Sequence, residues 1–224
     1  MSALYDCSDP AARAEGIAAA QEALAARGCI VIPTDTVYGI GADAFSPQAV
    51  ATLLAAKGRN RQMPPPVLIP RLSALDGLAT DVPEGARILA QKLWPGALTL
   101  ILPAQPSLTW DLGETHGTVG LRMPDDEVAL DLLSAVGPLA VSSANRTGVP
   151  TGPTAADARA QLADSVEVYL EDGARPLEGV TPTPSTIVDY TVEPPRVVRQ
   201  GALPLDTLQE LDPDIVGIDR DPAA

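Results

Sequence analysis

Two cations separated by one glycine, Lys57 and Arg59, stand out in a strongly acidic chain, and Arg61 follows closely. The formal net charge is −14, and only two of the 15 basic residues are lysines. Lys57 continues the apolar stripe of a predicted helix that carries Val50 and Leu54, so its side chain is predicted to end either at water or at an anion. A cation that balances the helix dipole is the alternative. We predict an anion site here.

Residues 33–41 (PTDTVYGIG) combine hydroxyls, a carboxylate and two glycines directly after a short apolar run that is typical of a buried strand. Ligands of α/β proteins bind at the carboxyl ends of strands, so this segment is a candidate binding loop. An ordinary turn explains the composition equally well. No third glycine stands at the dinucleotide-binding spacing, and no GxxxxGK[ST] motif occurs, so neither standard nucleotide loop is present.

A second polar segment, residues 142–148 (SSANRTG), follows another apolar run. Its serine and asparagine side chains are suited to hold phosphate or sugar oxygens, although a polar turn that caps the next helix has the same composition. Arg122, Ser185 and Arg199 lie in or beside apolar strands. A buried arginine is costly unless it is paired, so each needs an anionic partner, which is either a ligand or one of the chain's own acids.

Composition excludes several function classes. Cys7, Cys29 and His116 cannot supply a four-ligand zinc site, so we predict no metal ligands in the chain. His116 lies in a polar loop and no GxSxG motif occurs, which argues against a serine hydrolase. The net charge of −14 argues against a broad face that grips nucleic acid. No apolar run of 18 residues and no signal pattern occur, which predicts a cytoplasmic protein without membrane contact.

The elements that must position these residues alternate between strands and helices, which predicts an α/β fold. Several late strands follow one another without room for helices, so the sheet must be mixed. Predicted strands cover residues 29–32, 67–69 (at a sheet edge, because three prolines precede it), 98–102, 118–123, 139–142, 166–170, 186–189 and 196–199. Predicted helices lie between Pro10 and Gly28 and near residues 47–57, 83–92 and 125–136.

One domain over residues 1–203 is the simplest organisation, and residues 204–224 are predicted to form an acidic C-terminal helix and tail. Residues 173–184 are rich in glycine, proline and threonine, and they lead directly into Ser185. We expect this loop to act as a lid over the site.

The motifs together resemble the YrdC/Sua5 family of threonylcarbamoyl-AMP synthases. The resemblance runs from about residue 28 to residue 201, and the chain is similar to the short form of the family. It rests on PTDTVYGIGADA (33–44), KGR (57–59), LWPGALTLIL (93–102), TVGLRMP (118–124), SSANRTG (142–148), STIVD (185–189) and VVRQG (197–201). The resemblance implies a YrdC/RibB-like fold, a twisted mixed sheet wrapped by helices around a concave, positively charged cleft.

The resemblance also implies a nucleotidyltransferase reaction. L-threonine, bicarbonate (or CO2) and ATP give threonylcarbamoyl-AMP and pyrophosphate, the first step of t6A modification of tRNA. ATP is expected to arrive with Mg2+, and the product to pass transiently to the t6A transferase complex, so that contact with tRNA is indirect. An RNA-binding factor of the same fold without adenylating activity is the alternative.

The family's site residues carry over motif by motif. The resemblance assigns Lys57 and Arg59 a catalytic role. It places on the nucleotide side Lys57, Arg59, Thr118, Ser143, Asn145 and Arg199, and on the threonine side Thr36, Arg122, Ser142 and Ser185. Which of the two neighbouring serines touches which ligand stays open. Relatives carry an asparagine and a histidine after the KxR motif, and this chain has Met63 and a run of prolines there.

Overall fold

The computed structural model describes residues 2–177 and 183–218. Within these residues, ten strands form one sheet and seven α-helices accompany it. The strands are β1 (Ala3–Asp6), β2 (Ile30–Ile32), β3 (Gly39–Asp43), β4 (Val67–Leu68), β5 (Leu98–Pro103), β6 (Thr118–Arg122), β7 (Leu139–Ser143), β8 (Val168–Glu171), β9 (Thr186–Asp189) and β10 (Arg196–Arg199). The α-helices are α1 (Pro10–Ala25), α2 (Pro47–Lys57), α3 (Leu75–Leu78), α4 (Glu84–Leu93), α5 (Glu127–Val136), α6 (Ala155–Leu162) and α7 (Leu205–Gln209).

The sheet is mixed, as the sequence predicted. Its strand order is β1-β8-β2-β3-β7-β4-β6-β5-β9-β10. The pairs β1–β8, β2–β8, β4–β6 and β5–β9 are parallel, and the other neighbouring pairs are antiparallel. This order brings the carboxyl end of β7 and the loop before β3 to the same region, because β3 pairs with β7 from Gly39 opposite Ser143 to Asp43 opposite Leu139.

The prediction of an edge strand at residues 67–69 was wrong. Strand β4 lies inside the sheet, between β7 and β6. Its two residues pair on both sides, since Val67 faces Ala140 of one neighbour and Leu121 of the other. Proline lacks the N–H that a central strand needs, but Pro66 contributes only its carbonyl, which accepts from Val141 N at 2.9 Å.

Strand β3 was missed, because the sequence of residues 33–41 indicated only a loop. Glycines disfavour strands, yet Gly39 is required by close packing. A Cβ atom built there would stand 2.6 Å from Val141 Cγ1 on the neighbouring strand. Strand β1 and helix α6 were also not predicted.

The helix ends follow from local capping, as predicted for α1 and α2. The Asp9 side chain accepts from Ala12 N at 2.8 Å, and Pro10 occupies the first helical position. Ser46 caps α2 in the same way. Helix α2 ends at Gly58, whose φ of 66° turns the chain away after Lys57.

Two apolar clusters occupy opposite faces of the sheet. One cluster contains residues of α2, α3, α4 and α6 together with Val119 and Leu121. The other contains residues of α1 and α5 packed on β2, β7 and β8. Along β6, the alternating residues Thr118, Gly120 and Arg122 instead face a cavity, because successive strand side chains point to opposite faces.

The C-terminal segment packs against the domain through Leu208 and Ile215, which are fully buried. Residues 219–224 of the predicted tail and residues 178–182 of the predicted lid lie outside the described residues. In the part of the chain that the structure describes, no helix is long and apolar enough to cross a bilayer.

Candidate active site

A cavity of about 270 Å³ lies against strands β6, β5 and β9 and is closed at the sides by loops. Successive side chains of β5 alternate between the cavity and the core. Thr99 and Ile101 face the cavity, and Leu98 and Leu100 are fully buried in the core. The loop before β3 supplies one wall, and the segment Pro64 to Pro66 supplies part of another.

Eight of the ten predicted site residues line this cavity. They come from six separate stretches of sequence that only the sheet brings together. They are Thr36, Arg59, Thr118, Arg122, Ser142, Ser143, Ser185 and Arg199. The other two, Lys57 and Asn145, lie beside the cavity and contact each other.

Arg122 is held in place by three different partners. Its Nε donates to Gly96 O at 3.0 Å, its Nη1 to Thr36 Oγ1 at 3.0 Å and its Nη2 to Asp35 Oδ1 at 2.6 Å. Burial lowers the pKa of the Arg122 guanidinium, and the Asp35 carboxylate opposes that shift. A guanidinium has five N–H groups, so two of them stay available for a ligand at the cavity.

Arg199 approaches the cavity from the other side. Its Nε donates to Ser185 O at 3.0 Å and its Nη2 to Ser185 Oγ at 2.8 Å, and Ser185 Oγ lies 2.8 Å from Thr99 Oγ1. Burial lowers the pKa of Arg199, and the positive charges of Arg122 and Arg59 lower it further. Three guanidinium groups therefore repel one another across one cavity, which is an arrangement that an anionic ligand would relieve.

Arg59 joins the end of α2 to the end of β7. Its Nη1 donates to Ser142 Oγ at 3.0 Å, and its Nε lies 3.4 Å from Thr147 Oγ1. Burial lowers the pKa of Arg59. Three of its five N–H groups keep no partner among these bonds and lie at the cavity wall.

Lys57 lies beside the cavity and is not among the residues that line it. The side chain is 1% exposed. Its Nζ donates to Ser143 O, to Asn145 O at 2.7 Å and to Asn145 Oδ1 at 3.2 Å. Burial, with a smaller contribution from Arg59, lowers the pKa of Lys57 from 10.5 to about 7. Oxygen atoms of the chain itself therefore accept all the bonds that the Lys57 ammonium donates in this arrangement.

Three polar residues at the site had not been singled out as ligands. Thr34 lies with its Oγ1 3.1 Å from Thr36 Oγ1, Asp35 pairs with Arg122, and Thr99 bonds Ser185. The first two belong to the polar segment that sequence analysis had identified. The signal for Thr99 was also present, since a lone threonine alternates with leucines along a strand.

Among the residues the structure describes, no carboxylate side chain lines the cavity. No group of three His, Cys, Asp or Glu side chains in those residues could hold a metal ion. The cavity thus offers cations, hydroxyls and apolar walls, which suits an anionic ligand with apolar parts.

Comparison with known proteins agrees with this chemistry. The model of the Sua5–YciO–YrdC family, described as "Telomere recombination", matches residues 22–201. A relative from Mycobacterium tuberculosis H37Rv, named putative threonylcarbamoyl-AMP synthase, is 49% identical over 219 residues, which are 98% of this chain and 97% of the relative. The threonylcarbamoyl-AMP synthase of Pyrococcus abyssi is 36% identical over 81% of this chain, and the match spans 53% of that protein.

Solved structures show the same fold. The crystal structure of P. abyssi Sua5 complexed with L-threonine superposes with a TM-score of 0.86 and 29% identity, covering 96% of this chain and 62% of that one. Escherichia coli YciO superposes with a TM-score of 0.79 at 24% identity, covering 93% of this chain and 100% of that one. The sequence match and the shared fold lead to one conclusion: this chain belongs to the Sua5–YciO–YrdC family.

Proposed function

We propose that the protein is a threonylcarbamoyl-AMP synthase. It would convert L-threonine, bicarbonate or CO2, and ATP into threonylcarbamoyl-AMP and pyrophosphate in the cytoplasm, as the first step of t6A modification of tRNA. The observation that carries the proposal is the convergence of Arg59, Arg122 and Arg199 on one cavity that no carboxylate lines among the described residues. A reaction that joins an amino acid to a triphosphate presents anions at both ends of such a cavity.

Threonine is proposed to bind at Arg122. The two N–H groups that its protein partners leave unused match the two oxygens of an α-carboxylate, which arginine binds in bidentate fashion. The Thr36 hydroxyl accepts from Arg122, and the Ser185 hydroxyl accepts from Arg199 and lines the same cavity. Both hydroxyls would bond the amino acid. Ser142, which lines the same cavity, is proposed as a further threonine contact.

ATP is proposed to bind at Arg59 and Arg199, with Thr118 and Ser143 as hydroxyl partners on the same cavity wall. Mg2+ would enter as part of the nucleotide substrate. Mg2+ keeps several water ligands and binds phosphate oxygens, so it does not need the carboxylate cage that the described residues lack. The ion neutralises charge on the phosphates when the nucleotide is bound.

The chemistry needs little acid–base apparatus. The threonine amine adds to CO2 and loses a proton to give a carbamate, and a carbamate oxygen attacks the α-phosphorus. The bond from the α-phosphorus to the pyrophosphate oxygen then breaks. Negative charge grows on the leaving group, where the Arg59 and Arg199 guanidinium groups would stabilise the transition state more strongly than the ground state.

The product is a mixed anhydride that water destroys. A direct hand-off to the t6A transferase complex would protect it, with tRNA contacted only by that complex. The RNA-binding alternative is not favoured, because its cations would need an open face to follow a phosphate backbone and the three arginines lie in a cavity instead.

The test is pyrophosphate release by purified protein, together with mass analysis of the nucleotide product. We expect release only when threonine, bicarbonate and ATP are all present. Arg199→Met should lower kcat/KM at least about tenfold, the effect of losing one charged hydrogen bond. Arg87→Met removes a partly exposed arginine that pairs with Asp76 and is not among the residues lining the cavity, so it should leave the rate unchanged. Release without threonine, or salt-dependent tRNA binding without ATP turnover, would contradict the proposal.

A further inference from the structure

Lys57 lies at the end of α2 and has its ammonium buried beneath the loop that follows β7. An ammonium group has three N–H bonds. The acceptors Ser143 O, Asn145 O and Asn145 Oδ1 take up all three, and Ser143 Oγ lies slightly farther away at 3.4 Å. With the side chain 1% exposed and absent from the cavity lining, no N–H remains to reach a nucleotide in this arrangement.

The loop that Lys57 holds carries two cavity residues. Ser142 and Ser143 line the cavity just where β7 ends and the chain leaves the sheet. Beyond that point, Ala144 N donates to Tyr38 O at 2.7 Å and Thr147 N donates to Lys57 O at 3.1 Å. The side chain and the backbone of Lys57 thus both bond this loop, and Lys57 itself does not line the cavity.

The neighbouring cation of the same motif has a different environment. Gly58, in the left-handed conformation, turns the chain between Lys57 and Arg59. The two side chains consequently diverge: Arg59 lines the cavity and Lys57 does not. Two cations that look equivalent in sequence are separated by the fold into one that faces substrate and one that faces protein.

We propose that Lys57 is a positioning residue. Its ammonium fixes the backbone of residues 143–147 so that the Ser142 and Ser143 hydroxyls face the substrates, and it does not bind the phosphates itself. Only the kinetic part of this inference rests on the proposed function, because the geometry of the loop can be measured in the free protein without any substrate.

The first experiment is amide hydrogen exchange on the substrate-free protein at a pH below the Lys57 pKa of about 7, where the ammonium keeps its charge. Lys57→Met keeps the length of the side chain and removes its charge. We expect the amides of Ala144, Asn145 and Thr147 to exchange about tenfold faster or more, the change that loss of a charge-assisted hydrogen bond produces. Lys92→Met, which changes the only other lysine of the chain at an exposed position, is the matched control and should leave these amides unchanged.

The second experiment separates positioning from phosphate binding. The double variant Lys57→Met/Ser143→Ala should have a kcat/KM for pyrophosphate release no lower than that of the poorer single variant. The reason is that Lys57 acts only through the loop that carries the Ser143 hydroxyl. Affinity for inorganic tripolyphosphate should fall in Arg59→Met and much less in Lys57→Met. If Lys57→Met does not fold, Asn145→Ala removes one acceptor and should loosen the same amides.

The outcomes are distinguishable. Unchanged exchange in the free Lys57→Met protein, or a loss of tripolyphosphate affinity equal to that of Arg59→Met, would overturn the proposal. Faster exchange throughout the sheet would also overturn it, since that indicates a general structural role. If the wild-type protein releases no pyrophosphate, the proposed function fails, while the exchange result still decides the role of Lys57 in the loop.

Discussion

Replacement of Asp35 by asparagine tests whether the stability of the fold depends on a negative partner for the buried Arg122 guanidinium. The two side chains are 17% and 8% exposed, and Asp35 Oδ1 lies 2.6 Å from Arg122 Nη2. The same oxygen accepts from Asp125 N at 3.0 Å. Asparagine retains an oxygen in this position, so Asp35→Asn removes the negative charge while it preserves the shape and both hydrogen bonds.

The expected loss follows from burial. Removal of one member of a buried ion pair costs about 3–5 kcal/mol, because the remaining charge keeps its desolvation penalty without compensation. Because Asp35→Asn retains the hydrogen bonds, we expect a loss of unfolding free energy near the lower end of this range, at about 3 kcal/mol. For a domain of this size, each kcal/mol lowers Tm by about 2–4 °C, so Tm should fall by about 6–12 °C. Urea unfolding followed by circular dichroism, without substrates, measures the loss directly.

A matched control exists at the surface. Asp111 also bonds an arginine, with Arg61 Nη2 and Nη1 at 2.7 and 3.0 Å, and it also accepts from a backbone amide, Gly113 N. Its side chain and that of Arg61 are 40% and 57% exposed, so solvent screens the pair. Asp111→Asn should therefore unfold at almost the wild-type urea concentration. Equal losses in the two variants would refute the argument from burial.

Three further predictions concern Lys57 and two glycines. Because the pKa of Lys57 is lowered from 10.5 to about 7, the unfolded chain binds more protons between these values, so the unfolding free energy of the wild type should rise from pH 7 to 10 relative to Lys57→Met in urea titrations. Gly39→Ala should destabilise by about 1–3 kcal/mol in the same assay, because its Cβ would stand 2.6 Å from Val141 Cγ1. Gly120→Ala, whose Cβ would meet Pro66 Cβ at 3.4 Å, should leave stability unchanged and raise KM in pyrophosphate release by filling the cavity floor; an unchanged KM would contradict the assignment of that floor.

The sequence predicted those strands whose apolar residues either alternate with polar ones or form a continuous apolar run. Strands β5, β6, β9 and β10 appear at the expected positions because their alternation or apolar content is typical of sheets. Strand β3 escaped because its glycines obscure the signal: the packing of Gly39 against Val141 depends on a neighbour about a hundred residues away. Strand β4 was misplaced because two residues carry too little pattern to distinguish an edge from the centre.

The candidate site was predictable in its residue types more than in its contacts. Eight of the ten positions named from the sequence line the cavity, although Thr118 was named only through the family resemblance and Arg59 through its place at a helix end. For Lys57, the helical stripe correctly indicated a buried side chain, but not what it meets. Two of its three acceptors, Ser143 O and Asn145 O, are main-chain carbonyls, which every residue possesses, so residue types alone do not reveal them.

The charge of the whole chain decides less about ligand binding than the local arrangement of charges. With a net charge of −14, the protein repels polyanions at long range, and this argues against an extended nucleic-acid face. At physiological ionic strength, however, screening acts over about 8 Å, so a ligand inside the cavity responds mainly to the groups that line it. Those are Arg59, Arg122 and Arg199, and the nearest compensating acid, Asp35, already bonds one of them from outside the lining. An acidic protein can therefore hold a triphosphate and a carboxylate together, provided that its own carboxylates stay out of the cavity lining.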